Sequence, residues 1–268
     1  MLAQWFESEQ GKYVLDWELA QFDNAVDDIF GYHALQIGLP EIDFLRENRI
    51  PHKTVIGVDD LAAVRAKPWE LPITNNSVDL VLLPHVLEFS EHAHRILREA
   101  ERVLMPDGSI VISGFNPLSL WGARHAMGFA KEQYPWRGKM IGLLRLRDWL
   151  SLLSFEQNGG SFGCYAPPFK SAKWLERWKF MEKAGQRWWP IAGGTYVVRA
   201  IKRTVGMRLV MPSWRERRSS AKSLAPVAQR GNVAGRGLAA RDALSASQGL
   251  AARDPLSASR GLDNKERV

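Results

Sequence analysis

Residues 69–116 read WELPITNNSVDLVLLPHVLEFSEHAHRILREAERVLMPDGSIVISGFN. Two apolar runs, Val78–Leu83 and Ser109–Ser113, carry the β-branched and aliphatic content of buried strands. Turn chemistry precedes each: Asn75-Asn76-Ser77 before the first, Pro106-Asp107-Gly108 before the second. Between them Ile96, Leu97, Ala100, Val103 and Leu104 form one apolar stripe at helical spacing, and Arg95, Arg98, Glu99, Glu101 and Arg102 take the opposite face. Strand, helix and strand with short links predict a right-handed crossover in a parallel sheet. Ligands of such sheets sit at the carboxyl ends of the strands. That rule singles out Pro84, His85 and Glu88 after the first strand, and Gly114, Phe115, Asn116 and Pro117 after the second.

The same stretch resembles the class I S-adenosylmethionine-dependent methyltransferases, in particular their type 11 small-molecule branch. The resemblance rests on Leu71-Pro72-Ile73, Ser77-Val78-Asp79-Leu80-Val81, Leu97-Arg98-Glu99-Ala100-Glu101-Arg102-Val103-Leu104 and Met105-Pro106-Asp107-Gly108, in that order. It is close over these residues and weaker over 30–201. It implies a Rossmann-like α/β sandwich: a mostly parallel sheet of about seven strands, helices on both faces and an antiparallel last strand. The cofactor it implies is S-adenosyl-L-methionine. The activity it implies is methyl transfer to a small molecule.

Outward from the core, His33–Gly38 reads as the first strand and Lys53–Val58 as the second. In the family the first strand ends in a glycine-rich turn. Here only Gly38 is present, followed by Leu39-Pro40-Glu41, and Pro40 removes a backbone donor. The resemblance places Asp59, 21 residues after Gly38, where the family's ribose-binding acid falls. A turn aspartate after a strand is the equal alternative. Leu61–Pro72 is short, so the helix before the third strand is missing and a short strand is expected around Ala62–Ala66. Lys67 stands where the family has an adenine-contacting aspartate, and a lysine cannot accept from an adenine amino group. Trp69 either stacks on the adenine or covers the shortened edge. The expected cofactor floor is Ile37, Gly38, Asp59, Lys67, Pro68, Trp69, Leu71, Pro84 and His85. His85 and Glu88 are the candidate catalytic pair, with His85 a pocket-lining residue first and a general base second. Asn116 is the candidate substrate contact. His92 and His94 do not share a helical face and make no metal spacing with His85, so no metal is expected.

Residues 1–30 alternate acids with Trp5, Phe6, Tyr13, Trp17, Phe22 and Val26 in a loosely helical pattern. They are expected to form lid helices over the substrate or helices simply packed on the sheet. The methyltransferase-like domain is expected over 31–205, with 123–145 as a cap insertion in which Arg124 and Arg137 form a basic face. Leu146–Phe155 and Lys173–Gly185 read as helices, and Gly194–Arg203 as the last strand. Asn116-Pro117 follows the fifth strand and lacks the Pro-Tyr of the nucleic-acid amino-methyltransferases, so that chemistry is not supported.

Charge divides the chain. Residues 1–201 hold 22 Lys/Arg against 24 Asp/Glu, while 202–268 hold 14 against 5, so the overall +7 belongs to the tail. Within that tail a twelve-residue unit, Gly237–Gln248, recurs almost unchanged as Gly249–Arg260. So short and plain a unit buries no core, and 206–268 is expected to be a disordered basic tail; with no interleaved aromatics a tail without specific function is the favoured reading, and weak, nonspecific contact to nucleic acid through phosphates is the alternative. The single cysteine, Cys164, permits no internal disulfide, which fits a reducing compartment. The start of the chain has no secretory pattern and no segment has the length of a membrane span, so a cytoplasmic protein without membrane partners is expected. The alternative to an enzyme is a methyltransferase-like binding or scaffold protein that has lost catalysis, and the missing glycines and Lys67 favour it. A nucleic-acid-modifying enzyme guided by the tail is a weaker third reading.

Overall fold

The computed structural model describes residues 2–128, 133–168, 172–178 and 180–204; the predicted tail lies outside them. Two helices open the chain, α1 (Leu2–Phe6) and α2 (Glu9–Val26). The strands β1 (His33–Ile37), β2 (His52–Gly57), β3 (Val64–Arg65) and β4 (Val78–Pro84) follow, with turns rather than helices between them. Next come α3 (Ala93–Val103), β5 (Leu104–Phe115), α4 (Leu120–Ala126), α5 (Leu143–Leu152) and β6 (Phe155–Gly163). The described part closes with α6 (Ala172–Arg177), α7 (Phe180–Trp188), a 3-10 turn at Pro190–Ala192 and β7 (Thr195–Lys202).

The seven strands form one sheet in the order β3-β2-β1-β4-β5-β7-β6. The pairs from β3 to β5 are parallel, and β7 runs antiparallel to both β5 and β6. This is the expected mostly parallel sheet with an antiparallel final strand. The order reverses between β1 and β4, and that switch point is where an α/β sheet opens a crevice for a ligand.

The crossover helix α3 buries Ala93 together with Ile96, Leu97, Ala100 and Val103 of the predicted stripe on one face of the sheet, while the fifth stripe residue, Leu104, already begins β5. Helix α2 packs on the other face, where Phe22 and Val26 meet Ala34, Leu80 and Leu82. Strand β5 begins five residues earlier than the apolar run suggests. Val78 pairs with Leu104 and Leu80 with Ser109, so residues 105–108 bulge out, with Asp107 at φ +62°. The helix expected over Leu146–Phe155 lies at Leu143–Leu152, because Ser154 takes φ +61° and turns the chain into β6. Strand β6 itself, with Asn158-Gly159-Gly160 at its centre, has no strand-like composition. Eight registered partners on β7 hold it as an edge strand, with an irregularity between Gln157 and Gly159.

The expected cap insertion is packed into the domain where it is described. Trp136 is buried and stacks on Trp121 at 5.7 Å. Arg124 lies 5.2 Å over the Trp136 ring and donates to the Pro168 carbonyl, so it belongs to this packing rather than to a free basic face. Among the described residues no helix is long and apolar enough to cross a membrane.

Lys202 ends β7 with its ammonium buried. It donates to Asn76 Oδ1 at 3.0 Å and to the carbonyls of Glu101 and Leu104 at 2.6 and 2.9 Å. These bonds tie the last strand to the α3–β5 junction. Lys202→Met should lower the unfolding free energy by about 1–3 kcal/mol, the cost of leaving buried acceptors unpaired; urea denaturation measures it.

Candidate functional site

Three strands deliver the site. The ends of β1, β2 and β4 open into a cavity of about 530 Å³, bordered by Gly38 and Leu39, by Gly57, Val58 and Asp59, and by Pro84 and His85. Its outer wall comes from Pro68 and Trp69, from Phe89 to His92, and from Tyr134. Leu2 and Ala3 of α1 complete the border. The volume lies in the range of small-molecule sites.

The turn after β1 explains how a single glycine suffices for the chain to pass. Gly38 takes φ +84° and Leu39 follows at φ +47°. A Cβ on Gly38 would meet Val86 Cγ2 at 2.8 Å, so this one position requires glycine. The buried side chain of Gln36 then gathers the loop. Its amide donates to the carbonyls of Gly38, Leu39 and Ile42 at 3.2, 3.0 and 2.7 Å, and its oxygen accepts from Phe44 N–H at 3.0 Å. A glutamine clamp therefore organises the loop where the family uses a run of glycines. No helix follows it among residues 38–51.

His85 ends β4 in the left-handed region, at φ +53°, and its side chain is fully buried. Its Nδ1 lies 2.8 Å from Glu88 Oε2 and its Nε2 lies 2.8 Å from Glu18 Oε1. Glu88 Oε1 also accepts from Phe115 N–H at the end of β5. Phe115 stacks near the imidazole at 4.4 Å between centroids. Burial alone would lower the pKa of His85. The charge and hydrogen bond of Glu18, with those of Glu88, more than offset it and raise the pKa to about 10. Burial pushes the Glu88 carboxyl up, and the His85 interaction opposes that push only in part. Both ring nitrogens thus face carboxyl oxygens, an arrangement that favours the protonated ring.

This geometry corrects the sequence-based roles of His85 and Glu88. A general base needs a free lone pair within reach of a substrate. Both nitrogens of His85 are engaged by carboxyl oxygens, and both oxygens of Glu88 are occupied. Asn116 is corrected as well. Its Nδ2 donates to the carbonyls of Ile191 and Gly193 at 2.7 and 2.9 Å, and its Oδ1 accepts from Leu118 N–H at 3.0 Å. The side chain fastens the turn before β7 and is not among the residues that border the cavity.

Of the expected cofactor floor, the cavity gathers Gly38, Asp59, Pro68, Trp69, Pro84 and His85. Ile37 is fully buried in the core, one residue behind Gly38. Leu71 is core as well, with its N–H bonded to Glu99. Lys67 points to solvent and pairs with Glu70 at 3.7 Å. Trp69 packs partly on the core and meets His92 edge-on at 4.8 Å, so it forms a wall rather than a loose surface ring. The reading missed Glu18. Its signal was present: Val14, Glu18, Phe22 and Val26 stand at i+4 intervals and are all buried, so the acid lies on the apolar ridge of α2 and needs a partner inside.

Comparison with known proteins agrees with this geometry. Residues 32–112 match a family model described as a methyltransferase domain. Over 130 residues the chain is 40% identical to the uncharacterized protein YafS of Escherichia coli K12. The match takes in 48% of this chain and 54% of the relative, so the chain spans about half the length of the curated relative it matches. Among solved structures it is similar to an S-adenosylmethionine-dependent methyltransferase of Thermotoga maritima, at TM-score 0.52 and 15% identity, covering 72% of this chain and 97% of that one. It is also similar to a chain from the complex of the Haloferax volcanii methyltransferase activator Trm112 with a methyltransferase, at TM-score 0.55 and 12% identity, covering 76% and 98%. The chain shares its fold with these methyltransferase structures, and residues 32–112 match a methyltransferase domain.

The raised pKa of His85 links stability to pH. A histidine above its unfolded value of about 6.5 contributes stability that is complete below that value and is lost as pH rises. For His85 the loss should run up through about pH 10. Urea midpoints of the wild type should therefore fall between neutral pH and pH 10. His85→Gln should be less stable at neutral pH and should lose that part of the slope.

Proposed function

We propose that this protein binds S-adenosyl-L-methionine in the cavity at the ends of β1, β2 and β4 and transfers its methyl group to a small molecule. The observation that carries the reading is the charge of the cavity wall at the sheet's switch point. Glu41, Asp59 and Glu91 border it, and no Lys or Arg does so among the described residues. A phosphate-bearing nucleotide needs cationic partners. A ligand with an ammonium and a sulfonium suits an acidic wall. Asp59 stands at the end of β2, and among the described residues its carboxylate takes no protein hydrogen bond or ion pair, leaving both oxygens for a diol. Pro68, Trp69 and Val58 offer the apolar slot a purine ring fills.

S-adenosyl-L-methionine, when bound, supplies an electrophilic methyl group, so the chain's own task is alignment and exclusion of water. The Gly38–Leu39 turn gives backbone approach without a Cβ at its first position. Leu2, Ala3 and Tyr134 narrow the mouth, which suits α1 to the role of a lid. The Glu18–His85–Glu88 arrangement positions Pro84 and Val86 and takes no part in proton transfer.

The absence of a helix after β1 favours the second reading, a binding protein without catalysis, since the methionine end lacks a helix N-terminus to meet its carboxylate. Calorimetry on the full chain separates the readings. The enzyme reading predicts micromolar affinity for S-adenosyl-L-methionine, weakened at least tenfold, about 1.4 kcal/mol, by Asp59→Ala. No binding up to millimolar ligand contradicts it.

A further inference from the structure

The segment from α6 to the 3-10 turn carries large apolar side chains on its outside. Phe180, Trp188, Trp189 and Ile191 are 62%, 70%, 59% and 63% exposed, respectively. The inward side of α7 is already occupied. Glu182 bonds to Tyr13 and to Tyr165 N–H, and a Cβ on Gly185 would strike the Tyr165 ring. The exposed side is therefore not a core face missing its cover within this helix packing. From Gln186 to Ile191 every residue is exposed, giving an unbroken Gln-Arg-Trp-Trp-Pro-Ile ridge.

Two further features decide what such a ridge meets. It is basic: residues 172–192 hold five Lys/Arg against two Glu, and Glu182 is turned inward. Lys173, Arg177, Lys183 and Arg187 are all exposed around the aromatics. It is also held firmly in place. Asn116, at the end of β5, grips the carbonyls of Ile191 and Gly193, and Tyr165 Oη donates to the carbonyl of Pro190 at 2.8 Å. The backbone polar groups of the turn are thus spent inward while its side chains face out.

We infer that this ridge docks the protein onto an anionic lipid surface, with Trp188, Trp189 and Ile191 at the headgroup level and the surrounding Lys and Arg over the lipid phosphates. Tryptophan favours the membrane–water boundary because its ring is apolar and its N–H is polar. Basic residues beside an inserted apolar edge add attraction to anionic lipid. A second copy of the chain would bring a like-charged ridge against this one. Charge complementarity therefore selects an anionic occupant, and the exposed aromatics select one with an apolar interior. The docking is peripheral and stands independently of methyl transfer.

The test is sedimentation of the full chain with vesicles of phosphatidylcholine alone and of phosphatidylcholine with phosphatidylglycerol. The wild type should bind the anionic vesicles and salt should weaken it. The triple variant Trp188→Ser/Trp189→Ser/Ile191→Ser keeps every basic residue of the tail, yet should need at least tenfold more lipid. Lys183→Glu/Arg187→Glu, which leaves the aromatics intact, should also weaken binding. Brominated acyl chains should quench wild-type tryptophan fluorescence more than that of the triple variant. Thermal melts report whether each variant is folded. Equal lipid binding by wild type and both folded variants would assign the attraction to the tail and overturn the inference. So would a wild type that binds neither vesicle, whether or not it self-associates through the ridge.

Discussion

A buried histidine held between two glutamate side chains joins three separate parts of this chain. Glu18 comes from α2, His85 from the end of β4, and Glu88 from the turn that follows and reaches the backbone of β5. Taking these charges out of water costs several kcal/mol per ion, and only their mutual attraction and hydrogen bonds offset it. The arrangement is consequently weak evidence for stability and strong evidence for register. Any displacement of α2 along the sheet would strand a buried charge. His85 itself lies at a positive φ, at the turn that follows β4. The N-terminal helices, the end of β4 and the cavity border are fixed together by this one contact.

The sheet was legible wherever side-chain period and burial agree. The α3 stripe and the apolar runs of β4 and β5 are buried as their spacing demands, because a crossover unit packs the same way whatever ligand it serves. The carboxyl-end rule singled out Pro84, which borders the cavity, while Gly38 and Asp59 were placed by the family resemblance. Legibility failed where a polar group does a structural task. Asn116 looks like a site residue because it follows a strand, but its amide matches the carbonyls of a neighbouring turn. Glu18 looks like one more surface acid of an amphipathic helix until its i+4 neighbours are counted. Gln36 gives no warning at all, since one buried glutamine organising a loop has no spacing to recognise. Strand β6 was hidden by glycines whose pairing comes from β7, not from local propensity.

The glycine motif shows the same principle from the opposite side. A phosphate- or ligand-facing turn needs backbone in unusual conformations, and glycines are the common way to supply it. Here one glycine, one left-handed leucine and a glutamine clamp reach a comparable path. The cost is rigidity without a following helix, which places the burden of ligand binding on the β2 and β4 ends and on the wall from Pro68 to His92. The turn after α7 depends on the sheet in another way: Asn116, the residue that follows β5, holds the carbonyls of Ile191 and Gly193.

The protonation state of His85 tests the central claim most directly. Nitrogen-15 NMR of the histidine side chains near neutral pH should find both ring nitrogens of His85 protonated, with no titration at the ordinary value of about 6.5. A His85 ring with one bare nitrogen, titrating near that value, would contradict the account. It would free a lone pair for chemistry and dissolve the contact on which the placement of α2 rests.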